Sequence, residues 1–196
     1  MPFGYDAQVH RPWPANLPAG APSDVLFVGG CDAERLPLIN ALAEAGLNLA
    51  LFGGYWNVHS RTRTYWRGVA DQETIRAASA AAGITLCLVR RANRDGHVMR
   101  SYEAAAIGGC VLAEDTPDHR ELFGSEDRAA RYFTTIPELV QKATMLSADV
   151  DARRRLSLEL RRRMSVRTDT YSDRLAEMLR LLTSNELQSW TVAAVQ

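Results

Sequence analysis

Four short runs of consecutive apolar residues, each bounded by glycines or a charged loop, constrain this chain more than any other feature. Val25-Leu26-Phe27-Val28 ends in Gly29-Gly30, and Leu49-Ala50-Leu51-Phe52 ends in Gly53-Gly54. Ile84 to Val89 runs into Arg90-Arg91, and Cys110-Val111-Leu112-Ala113 follows Gly108-Gly109. Runs without polar alternation belong to strands buried on both faces, and such strands occur in parallel sheets with helices on each side. Helical spacing fills the gaps between them. Asp32 is placed to cap a helix carrying Leu36, Ile39 and Ala43, which Gly46 ends; Asp71 caps another that reaches Ala82 and stops at Gly83. Val98 to Ile107 makes a third. Arg131-Tyr132-Phe133 reads as a short edge strand, and Ile136, Leu139, Val140, Ala143 and Leu146 as one face of an amphipathic helix. Two further helices use Leu156, Leu160 and Met164, then Tyr171, Leu175, Leu179 and Leu182. The alternation predicts an α/β fold, a Rossmann-like doubly wound parallel sheet with C-terminal helices.

At 196 residues the length suits one domain with short extensions. Residues 1–23 are rich in Pro, Gly and Ala and read as an extended lead-in, 24–182 as the sheet domain, and 183–196 as a C-terminal tail. Basic and acidic residues balance at 23 each, so no net field gathers polyanions and nucleic acid is not an expected partner. Lysine occurs once, at Lys142, which excludes a P-loop and its glycine-adjacent lysine. Cys31, Cys87 and Cys110 are too few and too far apart for a disulfide framework or a metal knuckle. With no signal-like N-terminus and no apolar run of membrane-spanning length, the expected location is the cytoplasm.

In an open α/β sheet, ligands lie beyond the carboxyl ends of the strands. That directs attention to Gly29-Gly30-Cys31-Asp32, Arg67-Gly68-Val69, the loop from Arg90 to Arg100, and Glu114-Asp115-Thr116-Pro117. The first lacks the G-x-G-x-x-G spacing of a dinucleotide site, although Gly29 and Gly30 before a helix leave room for a phosphate or serve simply as a tight turn. The third is richer. Arg90, Arg94 and Arg100 with Asn93 follow the strongest strand, and Gly96 and His97 lead into a helix whose free N–H groups face the same crevice. That composition suits a phosphate or diphosphate. Glu103 lies farther along this helix, able to accept from a vicinal diol such as a ribose, or to pair with Arg100 three residues earlier.

The stretch Asn93-Arg94-Asp95-Gly96-His97-Val98-Met99-Arg100-Ser101-Tyr102-Glu103, continuing through Gly108-Gly109 to a strand ending near Thr116 and followed by Glu121-Leu122-Phe123, resembles the C-terminal domain of GT-B glycosyltransferases. The nearest type is the spore-maturation-protein glycosyltransferase family, with its N-R-D, R-x-[FY]-E and G-G pattern. The similarity extends over nearly the whole chain, from Tyr5-Asp6-Ala7-Gln8 to Leu179. It implies a donor domain for a nucleotide-diphosphate sugar of the UDP or GDP type, with no metal and no other cofactor. In the family's Glu-x7-Glu motif the second acid binds the donor ribose, and Glu103 matches it; the first, near the transferred sugar, falls on Asp95. Gly96 matches the glycine beside that acid, Gly29 the glycine loop after the first strand, and Val69 lies in the loop near the base. Transfer takes place between two domains in this family, so an N-terminal acceptor domain or a partner chain is implied.

The remaining candidates have ordinary readings. His10, His59 and His119 lack metal-ligand spacing and suit packing or surface roles, whereas His97 is placed to bond a sugar or phosphate. Trp56, Tyr65 and Trp66 suit a core or a stacking surface. The clusters Arg153-Arg154-Arg155 and Arg161-Arg162-Arg163 suit a solvated helix face or peripheral contact with anionic lipid. The expected function is therefore a glycosyltransferase donor domain; the alternative is a non-catalytic nucleotide- or protein-binding module on a decayed Rossmann-like site.

Overall fold

In the computed structural model, which describes residues 3–90 and 96–183, the apolar runs form one parallel sheet. Its strands are β1 (Ser23–Val28), β2 (Leu49–Phe52), β3 (Ala82–Cys87), β4 (Val111–Glu114) and β5 (Ala130–Phe133). The helices are α1 (Arg35–Glu44), α2 (Gln72–Ala81), α3 (Met99–Ile107), α4 (Pro117–Phe123), α5 (Ile136–Ala148), α6 (Val150–Ser165) and α7 (Tyr171–Thr183). The strand order is β2-β1-β3-β4-β5, with every neighbouring pair parallel. Successive connections run outward in opposite directions from β1 and β3, so a switch point, and with it a crevice, falls at their carboxyl ends.

Both sheet faces are covered, which is why the strands carry no polar alternation. On one face Val25, Phe27, Leu49, Leu51, Ile84 and Leu86 pack with Ile39 and Leu42 of α1 and Leu139 and Leu146 of α5. On the other, Leu26, Ala50 and Phe52 meet Ala78 of α2, while Cys87, Val111 and Ala113 meet Tyr102 and Ala105 of α3. Burial of this order contributes about 1.5–3 kcal/mol for each large apolar side chain. Helix starts follow the capping residues: Asp71 Oδ1 accepts from the Thr74 N–H at 2.8 Å, and Asp149 Oδ1 from Ala152 N–H at 2.8 Å. Asp32 Oδ1 accepts from Glu34 and Arg35 N–H at 3.1 and 2.9 Å, as its position before α1 predicts.

Two details differ from expectation. Strand β3 begins at Ala82, because Ala82 pairs with Ser23 of β1, and it ends at Cys87, short of Val89. Beyond Cys87 the Val89 N–H leaves the ladder and donates to the Glu114 carboxylate at 2.5 Å. Helix α4 is the second difference, an element hidden in what read as a loop. Thr116 caps it and Pro117 opens it, a start signal whose short apolar content gave no periodicity to detect.

Helix α6 explains part of the arginine clusters. Arg153 Nη1 donates to the carbonyls of Leu146 and Ser147, both at 2.5 Å, at the end of α5. Arg163 donates to the carbonyls of Leu122 and Glu121 at 2.7 and 2.6 Å, at the end of α4. These guanidinia satisfy orphaned carbonyls and complement the negative ends of two helices. The lead-in is not uniformly extended: it turns at 7–9 and 15–17 and is tied to the domain along its length. His10 N–H donates to the Asp6 carbonyl at 2.7 Å and Leu17 N–H to the Pro14 carbonyl at 3.1 Å. Tyr5 N–H donates to the Asp169 carbonyl at 3.2 Å and the Tyr5 carbonyl accepts from Tyr171 N–H at 2.9 Å. Arg76 of α2 holds the carbonyls of Arg11 and Pro12 at 2.7 and 3.0 Å.

Candidate functional site

The switch point opens into a cleft of about 310 Å3 with an apolar floor and a basic rim. Phe27 of β1 with Leu86 and Leu88 at β3 make the floor; Arg35 of α1, Arg90 after β3 and Arg100 of α3 make the rim. Three guanidinia converge here from three different elements. Arg35 Nη1 donates to the Gly30 carbonyl at 3.2 Å, approaches Asp32 Oδ2 at 3.4 Å, and lies 5.6 Å from the Phe27 ring centroid. Its Nε is buried without a hydrogen-bond partner. Guanidinia at the rim of a cleft with a low-dielectric floor, here Arg35 and Arg100 held by ion pairs and Arg90 exposed, attract an anion more strongly than an open surface does.

Two glycine loops shape the mouth. Gly29 N–H donates to the Phe52 carbonyl at 2.8 Å and Cys31 N–H to the Gly54 carbonyl at 2.9 Å. Gly53 adopts φ 132°, and a side chain there would run into the Gly29 carbonyl. The Gly29 and Cys31 amides are thus occupied, so the loop supplies shape at the cleft more than a row of donors. Both tryptophans of this region are fasteners for the loops. Trp56, fully buried and edge-on to Phe27, donates to the Gly29 carbonyl at 2.7 Å; Trp66 donates to the Gly53 carbonyl at 2.8 Å.

Glu103 lies behind the cleft. It is 2% exposed, ion-paired with Arg100, and its Oε1 is 3.4 Å from His10 Nε2 of the lead-in. His10 Nδ1 accepts the Asp6 N–H at 3.1 Å, which leaves the imidazole proton on Nε2, facing Glu103. His10 Nε2, Arg100 Nη1 and Glu103 Oε2 are all buried and lack a hydrogen-bond partner of good geometry. The carboxylate therefore pairs with Arg100, one of the two roles its spacing allowed, and is covered by a residue from the far end of the sequence.

The other expected residues divide around α3. Gly96, His97 and Thr116 lie on the α4 side of its first turn. Thr116 Oγ1 donates to the Gly96 carbonyl and accepts His119 N–H at 3.0 Å, and a Cβ on Gly96 would stand 2.7 Å from Asp118 Cγ. His97 Nε2 meets the Tyr102 hydroxyl at 3.3 Å. Val69 is 83% exposed and does not line the cleft, although the Gly68 carbonyl before it accepts the Gly53 N–H at 2.8 Å at the cleft mouth. Asn93, Arg94 and Asp95 lie outside the described residues. The structure thus brings together Gly29, Gly30, Arg90 and Arg100 and adds Arg35, whose signal was a basic residue following the Asp32 cap on the same loop.

Behind these residues is a neutral histidine. His119 Nδ1 donates to the Glu114 carbonyl at 2.7 Å and Nε2 accepts from Ser101 Oγ at 2.8 Å. Burial pushes its pKa down to about 4. The Cys87 and Cys110 thiols are pushed up to about 12, chiefly by burial. Cys31, half-buried, is raised by burial and by Asp32 beside it.

These features define a Rossmann-like α/β domain with a basic ligand crevice at its switch point, the fold of the C-terminal half of GT-B glycosyltransferases. A family profile described as "Glycosyl transferase-like" matches residues 35–180, and the chain belongs to that family. Among solved structures, sucrose-phosphate synthase from Thermosynechococcus elongatus is similar at 17% identity and TM-score 0.65, over 92% of this chain and 51% of that one. The C-terminal domain of the glycosyl transferase group 1 family protein LpcC from Francisella tularensis is similar at 15% identity and TM-score 0.64, over 84% and 98%. A variant of S. aureus TarM, in complex with fondaparinux, alpha-GlcNAc-glycerol and UDP, is similar at 14% identity and TM-score 0.63, over 86% and 38%. These likenesses establish the fold. The chain spans about half the length of the sucrose-phosphate synthase. No curated protein matches it at a significant level. Among the described residues, no helix is long and apolar enough to cross a membrane.

Proposed function

We propose that the chain is the donor-binding half of a glycosyltransferase, taking a nucleotide-diphosphate sugar of the UDP or GDP type. The observation that carries this reading is the convergence of Arg35, Arg90 and Arg100 over the apolar floor at the switch point. A diphosphate fits that rim. Its charge grows as the sugar–phosphate bond breaks, and fixed guanidinia stabilise the departing group without a metal. By the family resemblance alone, Asn93 and Arg94, next in sequence to Arg90, belong to the donor loop, and Asp95 and Gly96 match the positions near the transferred sugar. The TarM structure, named as a UDP complex, supports UDP as the first nucleotide to test.

In this reading the ribose is received by Glu103, which requires His10 to leave the carboxylate. Val69 borders the base. Transfer itself requires an acceptor domain, on an N-terminal segment or a partner chain, and the protein works in the cytoplasm, of the spore-maturation glycosyltransferase type. Exposed Arg154, Arg161 and Leu158 on α6 are available for peripheral contact with anionic lipid. The one observation favouring a non-catalytic module is the burial of Glu103 beneath His10.

Calorimetric titration with UDP, GDP and ADP tests the reading. One nucleotide is expected to bind, and Arg90→Ala to weaken it by about 1.5–3 kcal/mol, the contribution of a charged hydrogen bond. No binding of any of them at millimolar concentration sinks the donor reading and leaves the non-catalytic module.

A further inference from the structure

At the amino ends of the strands, opposite the arginine cleft, an open groove of about 340 Å3 runs between α6 and the ends of α2 and α3. Helix α6 is seated on the core by Ala152, Leu156, Leu160 and Met164. A neighbouring stripe of the same helix, Val150, Arg154, Leu158 and Arg161, lines the groove at helical spacing over about 16 Å. Val150 and Leu158 are 46% and 59% exposed, and both arginines are exposed beside them. The facing wall is made of small residues, Ala80, Ala82, Gly83, Gly108 and Gly109, which bring the backbone close to the surface.

The charges here are one-sided. Arg153, Arg154 and Arg161 line the groove, and among the described residues no carboxylate does. Arg153 is committed to the carbonyls that end α5. Arg161 lays its stem on Gly108, where a Cβ would stand 2.6 Å from the arginine Cδ, and its guanidinium has no ion-pair partner among the described residues. Arg154 reaches Asp151 at 4.0 Å, and that carboxylate is 97% exposed, so solvent screens the pair. An occupant that complements this surface is anionic and partly apolar.

The floor selects among such occupants. Helices α2 and α3 both end here, at Ala81 and Ile107, and the last carbonyls of a helix lack partners within it. A free phosphate would face the negative ends of two helices. A bilayer, flat on this scale, rests on the rim and leaves the groove unfilled. A polypeptide segment brings N–H groups to the carbonyls, carboxylates to the guanidinia and apolar side chains to Val150 and Leu158.

We propose that this groove docks an acidic amphipathic segment of a partner protein, with its carboxylates on Arg154 and Arg161 and its apolar side chains on Val150 and Leu158. The inference stands apart from the glycosyltransferase reading. Groove and cleft lie at opposite ends of the strands, so a docked segment leaves the cleft open.

The chain has 13 glycines, and a 15N-glycine spectrum reads both places at once: Gly83, Gly108 and Gly109 in the groove, Gly29, Gly30 and Gly53 at the cleft. The full chain is titrated with a synthetic amphipathic peptide of glutamate and leucine at helical spacing, with the same peptide carrying lysine for glutamate, with inorganic phosphate, and with phosphatidylglycerol vesicles. The acidic peptide is expected to move the groove glycines and leave the cleft glycines in place; the lysine peptide moves neither set. Arg154→Glu and Arg161→Glu, each confirmed folded by its melting temperature, are expected to weaken the response at least tenfold. Arg128→Glu, the same change of charge outside the groove, keeps it within about twofold of wild type. The proposal fails if the groove glycines ignore the acidic peptide, or if both charge-reversed variants respond as wild type does. A stronger response to vesicles or to phosphate than to the peptide also overturns it, and gives the groove to a lipid surface or to a free anion.

Discussion

His10 and Glu103, 93 residues apart in sequence, meet at 3.4 Å in a buried contact that fastens the lead-in to α3 beside Arg100. Replacing Glu103 by Ala leaves the Arg100 guanidinium facing a half-buried hole and His10 without a counterpart. The expected cost is about 3 kcal/mol, as for one partner removed from a buried pair. Hydrogen exchange along residues 5–12 accelerates at the same time. Unchanged urea stability would show that the contact contributes nothing.

The complementary substitution separates two roles of Glu103. His10→Ala uncovers the carboxylate while leaving its pairing with Arg100. If Glu103 receives the ribose, nucleotide affinity rises in His10→Ala and falls in Glu103→Ala. Equal affinities in wild type and both variants confine Glu103 to holding the lead-in.

His119 makes stability depend on pH in a defined window. Its folded pKa of about 4 lies below the ordinary value of 6.5, so the unfolded chain binds the proton first as pH falls. Stability is therefore full above pH 6.5 and declines down to about pH 4, by about 3 kcal/mol for this group alone. Urea midpoints at pH 7.5 and 4.5 measure it. His119→Asn, which keeps a polar side chain without the titration, should show a smaller decline across that interval.

Thr116 supports α4 and the start of α3 together. Thr116→Ala removes the cap on His119 N–H and the bond to the Gly96 carbonyl, with an expected loss of about 1–2 kcal/mol; Thr116→Ser should recover most of it. Gly96→Ala drives a Cβ to 2.7 Å from Asp118 and should cost about 1–3 kcal/mol by overpacking. Thermal melts of the three variants check the order.

The thiols should react unequally. Cys87 and Cys110 are buried with pKa values pushed up to about 12, so a native-state alkylation at pH 8 should modify Cys31 alone, with all three labelled in urea. Rapid labelling of Cys87 in the folded chain contradicts the packing of β3 against α3.

The strands, most helix starts and the location of the crevice were legible in the chain's own pattern. Unbroken apolar runs such as Leu49–Phe52 specify burial on both faces, and Asp32 and Asp71 specify helix starts through local hydrogen bonds. These are interactions between near neighbours or averages over a run, and a linear sequence records both. Only the tertiary structure decided which side chains meet. The covering of Glu103 by His10, the addition of Arg35 to Arg90 and Arg100, and the packing of His97 against Phe3 and Tyr102 depend on strand order and on where the lead-in lies. The reason is geometric: a contact between residues far apart in sequence is set by how the layers pack, and no local periodicity carries that information.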